Sequence, residues 1–217
     1  HIPFCKTRCI YCDFYSTTRS ELITRYIHAL CNELEMKKEY LKEEKIETVY
    51  FGGGTPSVMP RGGFTEIVSA LWQKFDLSDL TEFTAEANPE SVTPEFLAEC
   101  REIGVNRLSM GLQSASDEIL KRIGRLHTVS DFVRAVKSAK DFGIDNVSGD
   151  IIIGLPGQDE DDVKNAVELF DGLGLSHASV YALTVEEGTP LYRSGYKTDD
   201  DREAELYDAA VEYLKKY

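Results

Sequence analysis

The sequence predicts an α/β fold with a parallel sheet, in the form of a partial (β/α)6 barrel. Short runs rich in β-branched and aromatic residues alternate with amphipathic stretches along nearly the whole chain. This alternation implies parallel strands joined by right-handed crossovers, which fits either a barrel or an open doubly wound sheet. Five strands follow residue 12, and one more is expected before Cys5. The six-stranded partial barrel is therefore favoured.

The predicted strands are short, and most of them lead into polar or glycine-containing segments. The first ends in three glycines, and the fourth is an apolar run that a single carboxylate interrupts. The five strands are expected at about residues 49–51, 81–87, 106–110, 146–153 and 178–183.

Capping signals mark the predicted helices. A Thr followed three residues later by an acidic residue can form a capping box, as in Thr18-x-x-Glu21 and Thr128-x-x-Asp131. Another helix is expected to begin after Thr93 and to end at Gly104. The helices are expected at about residues 18–42, 61–75, 93–104, 128–143, 160–172 and from 200 onward.

Composition and charge exclude several classes of protein. The 217 residues are 42% hydrophobic and 29% charged, which excludes disordered, collagen-like and coiled-coil chains. No apolar run reaches the ~18–20 residues of a membrane span. No signal peptide is visible, so we expect a cytoplasmic protein. Such a protein would associate with a membrane only through a partner protein. The formal net charge of −14 argues against a nucleic-acid partner.

The length suits one large domain. The sequence has no initiator Met, reaches a cysteine motif within five residues and stops inside a predicted helix. We therefore expect residues 1–217 to be the core domain of a longer protein, with its C-terminal domain absent from this sequence.

The five cysteines fall into two groups. Cys5, Cys9 and Cys12 crowd into eight residues, whereas Cys31 and Cys100 lie on apolar helical stripes that are typical of buried cysteines. Three clustered thiolates suit a four-iron cluster, because three irons are then held and one stays open to bind a small molecule. A cluster for electron transfer alone would normally have a fourth cysteine nearby.

A zinc site is the alternative interpretation of the cysteine motif. Zinc prefers four ligands, usually in separated pairs, and His1 could complete a set with the three clustered cysteines. The chain would then be a zinc-stabilised binding module without redox chemistry.

Polar residues gather at the predicted strand ends, where α/β folds bind their ligands. Three glycines in the loop 52–56 (GGGTP) let the backbone approach a ligand, with a flexible turn as the alternative. Glu86 ends the second strand, where a carboxylate needs a cation or donors, and an α-amino group would serve; a surface Glu is the alternative. Gln113 and Arg125 follow the third strand, and Asp150 interrupts the fourth.

Together, Gln113, Arg125 and Asp150 offer donors and acceptors to a ribose or a carboxylate. A structural ion pair between Arg125 and Asp150 is the alternative. His127 has no partner at zinc-type spacing, so we interpret it as a structural or hydrogen-bonding residue.

The cysteine spacing, with Tyr11 just before the last cysteine, resembles the signature of the radical S-adenosylmethionine (SAM) enzymes. Six segments in order along nearly the whole chain look like the oxygen-independent coproporphyrinogen III oxidase family: HIPFC, FGGGTPS, EANPES, RLSMGLQS, IGRLH and DIIIGLPGQ. The resemblance implies a partial (β/α)6 barrel with a [4Fe-4S] cluster and SAM. An electron from the cluster would cleave the sulfonium bond and give a 5′-deoxyadenosyl radical.

The resemblance also implies a role for each site residue. Cys5, Cys9 and Cys12 would hold the cluster, and its open iron would take the amino and carboxylate groups of SAM. The SAM-binding residues would be Gly53, Gly54, Thr55 and Glu86 at the methionine end, Gln113, Arg125 and Asp150 at the ribose and carboxylate, and Tyr11, Ile152 and Thr184 near the adenine.

One departure from the oxidase pattern decides the subgroup. True oxidases resemble CxxxCxxCxC, whereas Phe14 occupies the position of the fourth cysteine here. The CDF version resembles a sister group regarded as heme chaperones, which bind heme and pass it on. The resemblance thus implies heme or porphyrin, an electron donor and a heme-acceptor protein as partners, with the heme motif in a C-terminal region. A porphyrinogen-decarboxylating oxidase is the alternative.

Overall fold

A parallel sheet of five strands forms the centre of the computed structural model, which describes residues 1–42 and 44–216. The strands lie side by side in chain order, and all four neighbouring pairs are parallel. Helices join consecutive strands, so the predicted α/β class is confirmed. The strands are β1 (Thr48–Phe51), β2 (Glu82–Ala87), β3 (Arg107–Gln113), β4 (Asn146–Ile153) and β5 (His177–Ala182).

The segment before Cys5 extends this sheet beyond the end of β1. Ile2 makes a parallel bridge with Gly53, and its amide donates to the Gly52 carbonyl at 2.7 Å. The Gly54 amide returns a bond to the Ile2 carbonyl at 2.8 Å. Within the described residues, the expected sixth strand is therefore present only as an isolated bridge.

Helices pack on the outer face of the sheet and at its end. Two short ones, α4 and α7, were not predicted from the sequence. Within the described residues the α-helices are α1 (Ile23–Lys37), α2 (Gly63–Lys74), α3 (Pro94–Ile103), α4 (Asp117–Arg122), α5 (Val129–Asp141), α6 (Glu160–Gly172), α7 (Pro190–Arg193) and α8 (Asp200–Leu214).

Two of the predicted helix starts are confirmed. The Thr128 hydroxyl accepts from the Asp131 amide while the Asp131 carboxylate accepts from the Thr128 amide, which is a complete capping box for α5. The Thr93 hydroxyl caps α3 by accepting from the Phe96 amide at 3.2 Å, and Gly104 ends that helix at φ 91°.

The capping box predicted at Thr18 is wrong. Helix α1 begins only at Ile23, after a single 3-10 turn at Ser20–Leu22 whose N-cap, Arg19, makes no side-chain capping bond. The Glu21 carboxylate accepts from the Arg19 guanidinium at 2.9 Å and so does not reach back to cap the turn.

The two faces of the sheet differ in polarity. In β3, Leu108, Met110 and Leu112 are fully buried against the helices, which gives the chain its apolar core. Arg107 and Ser109 point to the opposite, inner face. The inner face is therefore polar, and it leads toward the ends of the strands.

Among the described residues, the structure contains no helix that is both long and apolar enough to cross a membrane.

Candidate functional site

A cavity of about 540 Å³ lies at the carboxyl ends of the strands, where a parallel sheet places its ligands. Every residue that the resemblance implies for SAM lines this one cavity, and Cys12 lines it too. The ten residues are Tyr11, Gly53, Gly54, Thr55, Glu86, Gln113, Arg125, Asp150, Ile152 and Thr184.

The cysteine loop is tied to the barrel by backbone hydrogen bonds. The Cys5 amide donates to Thr17 at 3.0 Å, and the Ile10 amide donates to Ile123 at 3.1 Å. The Cys12 amide turns back to the Cys9 carbonyl at 3.2 Å. These bonds fix the conformation of the loop. Its three cysteines form no disulfide, and their side chains are half-buried.

Each of the first two cysteine sulfurs has a donor nearby. The Thr55 hydroxyl lies 3.5 Å from Cys5 Sγ, and Arg125 Nη1 lies 3.7 Å from Cys9 Sγ. Burial raises the pKa of the Cys12 thiol, and the neighbouring Cys9 and Cys5 sulfurs raise it further. The three sulfurs therefore lie close enough to influence one another.

The chemistry of this donor set suits an iron–sulfur cluster. Among the described residues, no three His, Cys, Asp or Glu side chains are arranged to hold one metal ion. The His1 ring, proposed as a fourth ligand, instead makes a 2.9 Å hydrogen bond to the Tyr15 carbonyl. In a four-iron cluster each cysteine holds a different iron, so its sulfurs need not converge on one point.

The two remaining cysteines lie away from this loop. Cys100 is fully buried in the core, and burial raises the pKa of its thiol to about 12. Cys31 on α1 is half-buried, so it is less enclosed than its apolar stripe predicts. Both cysteines pack against apolar neighbours, in agreement with a structural role.

The glycine loop is in close contact with the N-terminal segment. Gly53 has φ 131°, and a Cβ there would lie 2.8 Å from the Ile2 amide nitrogen. A Cβ on Gly54 would lie 2.9 Å from Cys5 Sγ and 2.8 Å from the Phe4 carbonyl oxygen. Close approach to the cysteine segment requires these glycines, which argues against a merely flexible turn.

Two donors orient the carboxylate of Glu86. The Tyr50 hydroxyl donates to one oxygen at 2.6 Å, and the Gly53 amide donates to the other at 3.0 Å. Burial, followed by the hydrogen bond to Glu86, raises the pKa of Tyr50, so Tyr50 stays a donor. Sequence reasoning missed Tyr50, although its alternation with Val49 and Phe51 in β1 places it on the inner face.

Arg125 bridges the strand ends. Its Nη2 donates to Asn88 Oδ1 at 2.8 Å and to the Gly111 carbonyl at 2.9 Å. The Asn88 amide in turn donates to Thr55 Oγ1 at 3.1 Å. No salt bridge joins Arg125 to Asp150 in the described part of the chain, so the structural ion-pair alternative is wrong. Sequence reasoning gave Asn88 no role.

Gln113 has a backbone conformation that is uncommon for its type. Its φ is 71°, at a point where the pairing of β3 with β4 shifts register between Gly111 and Gln113. Such strain persists where surrounding structure enforces it and is concentrated at functional sites. The bulge ends β3 at the cavity, where Gln113 is part of the lining.

Asp150 reaches the cavity from the middle of β4. Its oxygens accept from the Ser109 hydroxyl at 3.1 and 3.2 Å. Burial raises the pKa of Asp150, hydrogen bonds from Ser179 and Ser109 act in the opposite direction, and Glu86 raises it again. An aspartate in this position is costly to ionise and depends on its donors.

His127 has the structural role that we interpreted from the sequence. The residue is buried, and its Nε2 lies 3.2 Å from the Leu112 carbonyl. Its Nδ1 faces the Glu90 carboxylate at 3.5 Å. Burial acts to raise the pKa of Glu90, but His127 and Arg125 outweigh it and the net shift is downward.

Carboxylates outnumber cations around the cavity. Asp13, Glu86, Asp150 and Glu186 line it, whereas Arg125 is the one cation among the lining residues of the described chain. This charge balance favours a ligand that carries positive charge, such as an ammonium or sulfonium group.

Two known proteins are similar in sequence to nearly the whole chain. The chain is 35% identical over 222 residues to the heme chaperone HemW of Lactococcus lactis, covering 100% of this chain and 58% of that protein. It is 37% identical over 217 residues to the heme chaperone HemW of Mycobacterium tuberculosis, covering 96% of this chain and 56% of that protein. The chain thus spans just over half the length of these relatives.

A solved structure supports the fold. The coproporphyrinogen III oxidase HemN of Escherichia coli, described as a radical SAM enzyme, superposes with a TM-score of 0.89 at 22% identity, over 100% of this chain and 51% of that one. The model of the radical SAM superfamily matches residues 1–170. The chain therefore belongs to the radical SAM superfamily.

Proposed function

We propose that Cys5, Cys9 and Cys12 hold a [4Fe-4S] cluster and that the adjoining cavity binds SAM. Membership of the superfamily implies both cofactors. The observation that carries the residue assignment is that all ten SAM candidates line a single cavity beside the three free cysteines. When bound, the cluster supplies the electron that cleaves SAM.

The residues of the cavity have distinct tasks in this proposal. Glu86, fixed by its two donors, accepts the ammonium group of SAM, and Arg125 faces the carboxylate. Asp150 and Gln113 bind the ribose hydroxyls. Tyr11, Ile152 and Thr184 lie near the adenine and exclude water from it.

We further propose that the protein to which this chain belongs is a heme chaperone, with heme, an electron donor and a heme acceptor as its partners. Two heme chaperones are 35% and 37% identical to the chain. Phe14, which replaces the fourth cysteine of the oxidase pattern, is 71% exposed and lines the cavity mouth. A phenyl ring at this position offers no thiol for oxidase chemistry.

Metal analysis tests the cluster. After anaerobic reconstitution with iron and sulfide, we expect about four irons and matching sulfide per chain. One zinc without sulfide would reject the cluster in favour of the binding module.

Two experiments on the full-length protein test the heme proposal. Titration with hemin is expected to give a shifted Soret band, and its absence contradicts the chaperone function. Anaerobic incubation with coproporphyrinogen III, SAM and a reductant is expected to yield no protoporphyrinogen. Formation of that product would instead establish the oxidase.

A further inference from the structure

A line of hydrogen bonds crosses the inner face of the sheet from Arg107, the first residue of β3, to Asp150 in the cavity. We propose that Arg107, through Ser148 and Ser109, holds Asp150 as an oriented, ionised acceptor for the hydroxyl groups of the ligand. Ser109, Ser148 and Arg107 are then positioning residues that act through Asp150. The inference rests on the proposed SAM site for the identity of the ligand, but its first test does not depend on that site.

Each pair of neighbouring residues between Arg107 and Asp150 lies at direct hydrogen-bond distance. Arg107 Nη2 donates to Ser148 Oγ at 3.2 Å, and Ser148 Oγ donates to Ser109 Oγ at 3.1 Å. Ser109 Oγ then donates to both oxygens of Asp150, at 3.1 and 3.2 Å. Ser148 is fully buried and Ser109 is 7% exposed, so water does not compete along the line.

The direction of the line is set at its cationic end. A guanidinium can only donate, and each serine hydroxyl has a single proton. Once Ser148 accepts from Arg107, its own proton is free for Ser109, and the Ser109 proton is free for Asp150. A deprotonated Asp150 is the group that accepts at the far end. The line therefore opposes protonation of Asp150.

Asp150 needs such support because its surroundings disfavour charge. The titratable or charged groups facing it are Tyr50 from β1, Glu86 from β2, Arg107 from β3 and Tyr181 from β5. Burial and Glu86 raise the pKa of Asp150, whereas hydrogen bonds from Ser179 and Ser109 and the charge of Arg107 lower it. The hydrogen bonds thus connect the Arg107 cation to the Asp150 carboxylate, which would otherwise be easily protonated.

Carbon NMR of aspartate carboxyl groups tests the proposal without any ligand. In chain labelled at aspartate, the Asp150 signal is assigned by its loss in Asp150→Asn and followed against pH. Ser148→Ala removes the central hydroxyl without touching Asp150, so we expect Asp150 to titrate at higher pH than in the unaltered chain. Thr84→Val is the matched control, because Thr84 is also fully buried and bonded to Arg107 but lies off the line.

A second variant keeps the test decisive if Ser148→Ala does not fold. Arg107→Gln removes the cation where the side chain is still 17% exposed, and the same upward displacement of the Asp150 titration is expected. An Asp150 titration that stays at the same pH in the folded variants overturns the proposal, as does an equal change in Thr84→Val.

Ligand binding gives the second readout. By calorimetry, we expect Ser148→Ala to bind S-adenosylhomocysteine about three- to tenfold more weakly than the unaltered chain, the cost of one weakened hydrogen bond. Equal weakening of an analogue without ribose hydroxyls would contradict the role in hydroxyl binding. If the unaltered chain fails to bind S-adenosylhomocysteine, the SAM site is wrong, whereas the NMR result still decides the hydrogen-bond line.

Discussion

At the scale of single residues, the site depends on side chains whose own partners hold them in place. Glu86 is held by Tyr50 and by the Gly53 amide, and Asp150 by Ser109. A carboxylate with both oxygens directed by donors loses little freedom when a ligand binds, which raises affinity for a given contact. Substitution of the supporting residues should therefore lower the affinity for the ligand.

We predict that Tyr50→Phe weakens SAM binding by about three- to tenfold, because Glu86 loses the donor that orients it. Calorimetry or equilibrium dialysis with the reconstituted chain measures this change. Tyr207→Phe on the surface of α8 is the control and should bind normally. Unchanged affinity in Tyr50→Phe would show that the Gly53 amide alone orients Glu86.

The ionised Asp150 that serves ligand binding should also lower the stability of the fold. The pKa of Asp150 is raised in the native state, so the native state holds the proton more tightly than the unfolded state does. The stability of the fold therefore falls as the pH rises from the unfolded-state pKa through the native-state pKa and Asp150 ionises. We expect Asp150→Asn to have a higher free energy of unfolding than the unaltered chain at pH 7, with the difference shrinking toward pH 4. Urea unfolding at several pH values measures it, and a difference that grows in acid contradicts the assignment.

The cysteines give a direct prediction about cluster assembly. Cys9→Ala should abolish it, because one iron loses its protein ligand, whereas Cys31→Ala should leave iron and sulfide content unchanged. Iron and acid-labile sulfide per chain are measured after anaerobic reconstitution. Equal loss in both variants would show that the two groups of cysteines were separated wrongly.

At the scale of elements, one helix supplies the N-terminal cap of another. Helix α2 begins after Gly62, which has no side chain to cap it. The buried Glu99 of α3 takes that place, with one oxygen that accepts from the Gly62 and Thr65 amides and from the Thr65 hydroxyl, at 2.9–3.0 Å. A negative charge at a helix N-terminus also interacts favourably with the helix dipole.

We expect Glu99→Ala to lower the free energy of unfolding by about 1–2 kcal/mol, since it removes the buried carboxylate that accepts from the donors at the N-terminus of α2. Glu102→Ala is the matched control one turn away, because its pairing with Arg61 at 3.9 Å is exposed and should contribute less than about 0.5 kcal/mol. Urea denaturation compares the two, and equal losses would contradict the capping role.

Elements whose signals are local were predictable from the sequence. The box at Thr128, the cap at Thr93 and the glycine at 104 each act within four residues, so the chain alone specifies them. The cap from Glu99 joins residues 34 or more positions apart and leaves no local pattern. The predicted start of α1 was wrong for a related reason. The Glu21 carboxylate, which the capping box at Thr18 required, accepts a hydrogen bond from Arg19 instead.

At the scale of the whole molecule, the gathering of strand ends followed from the alternation of strands and helices, whereas the strand count was also needed to favour a partial barrel over a doubly wound sheet. Placing Glu86, Gln113 and Asp150 on one cavity needed no more than the rule that parallel strands end at the same edge. The contacts between these residues were not predictable. Tyr50 with Glu86 and Arg125 with Asn88 pair across 36 and 37 positions, and only the folded chain brings them together.

The order of the strands has a consequence for access to the site. In the described chain, β1 and β5 lie at opposite sides of the sheet and do not pair, so the five strands do not close into a ring. A closed eight-stranded barrel admits ligands only through its mouth, and its circumference limits their size. Under the proposed function, a second, bulky molecule would not have to enter through such a mouth to reach SAM, so the separation of the two unpaired sides, and not the diameter of a ring of strands, would limit its size.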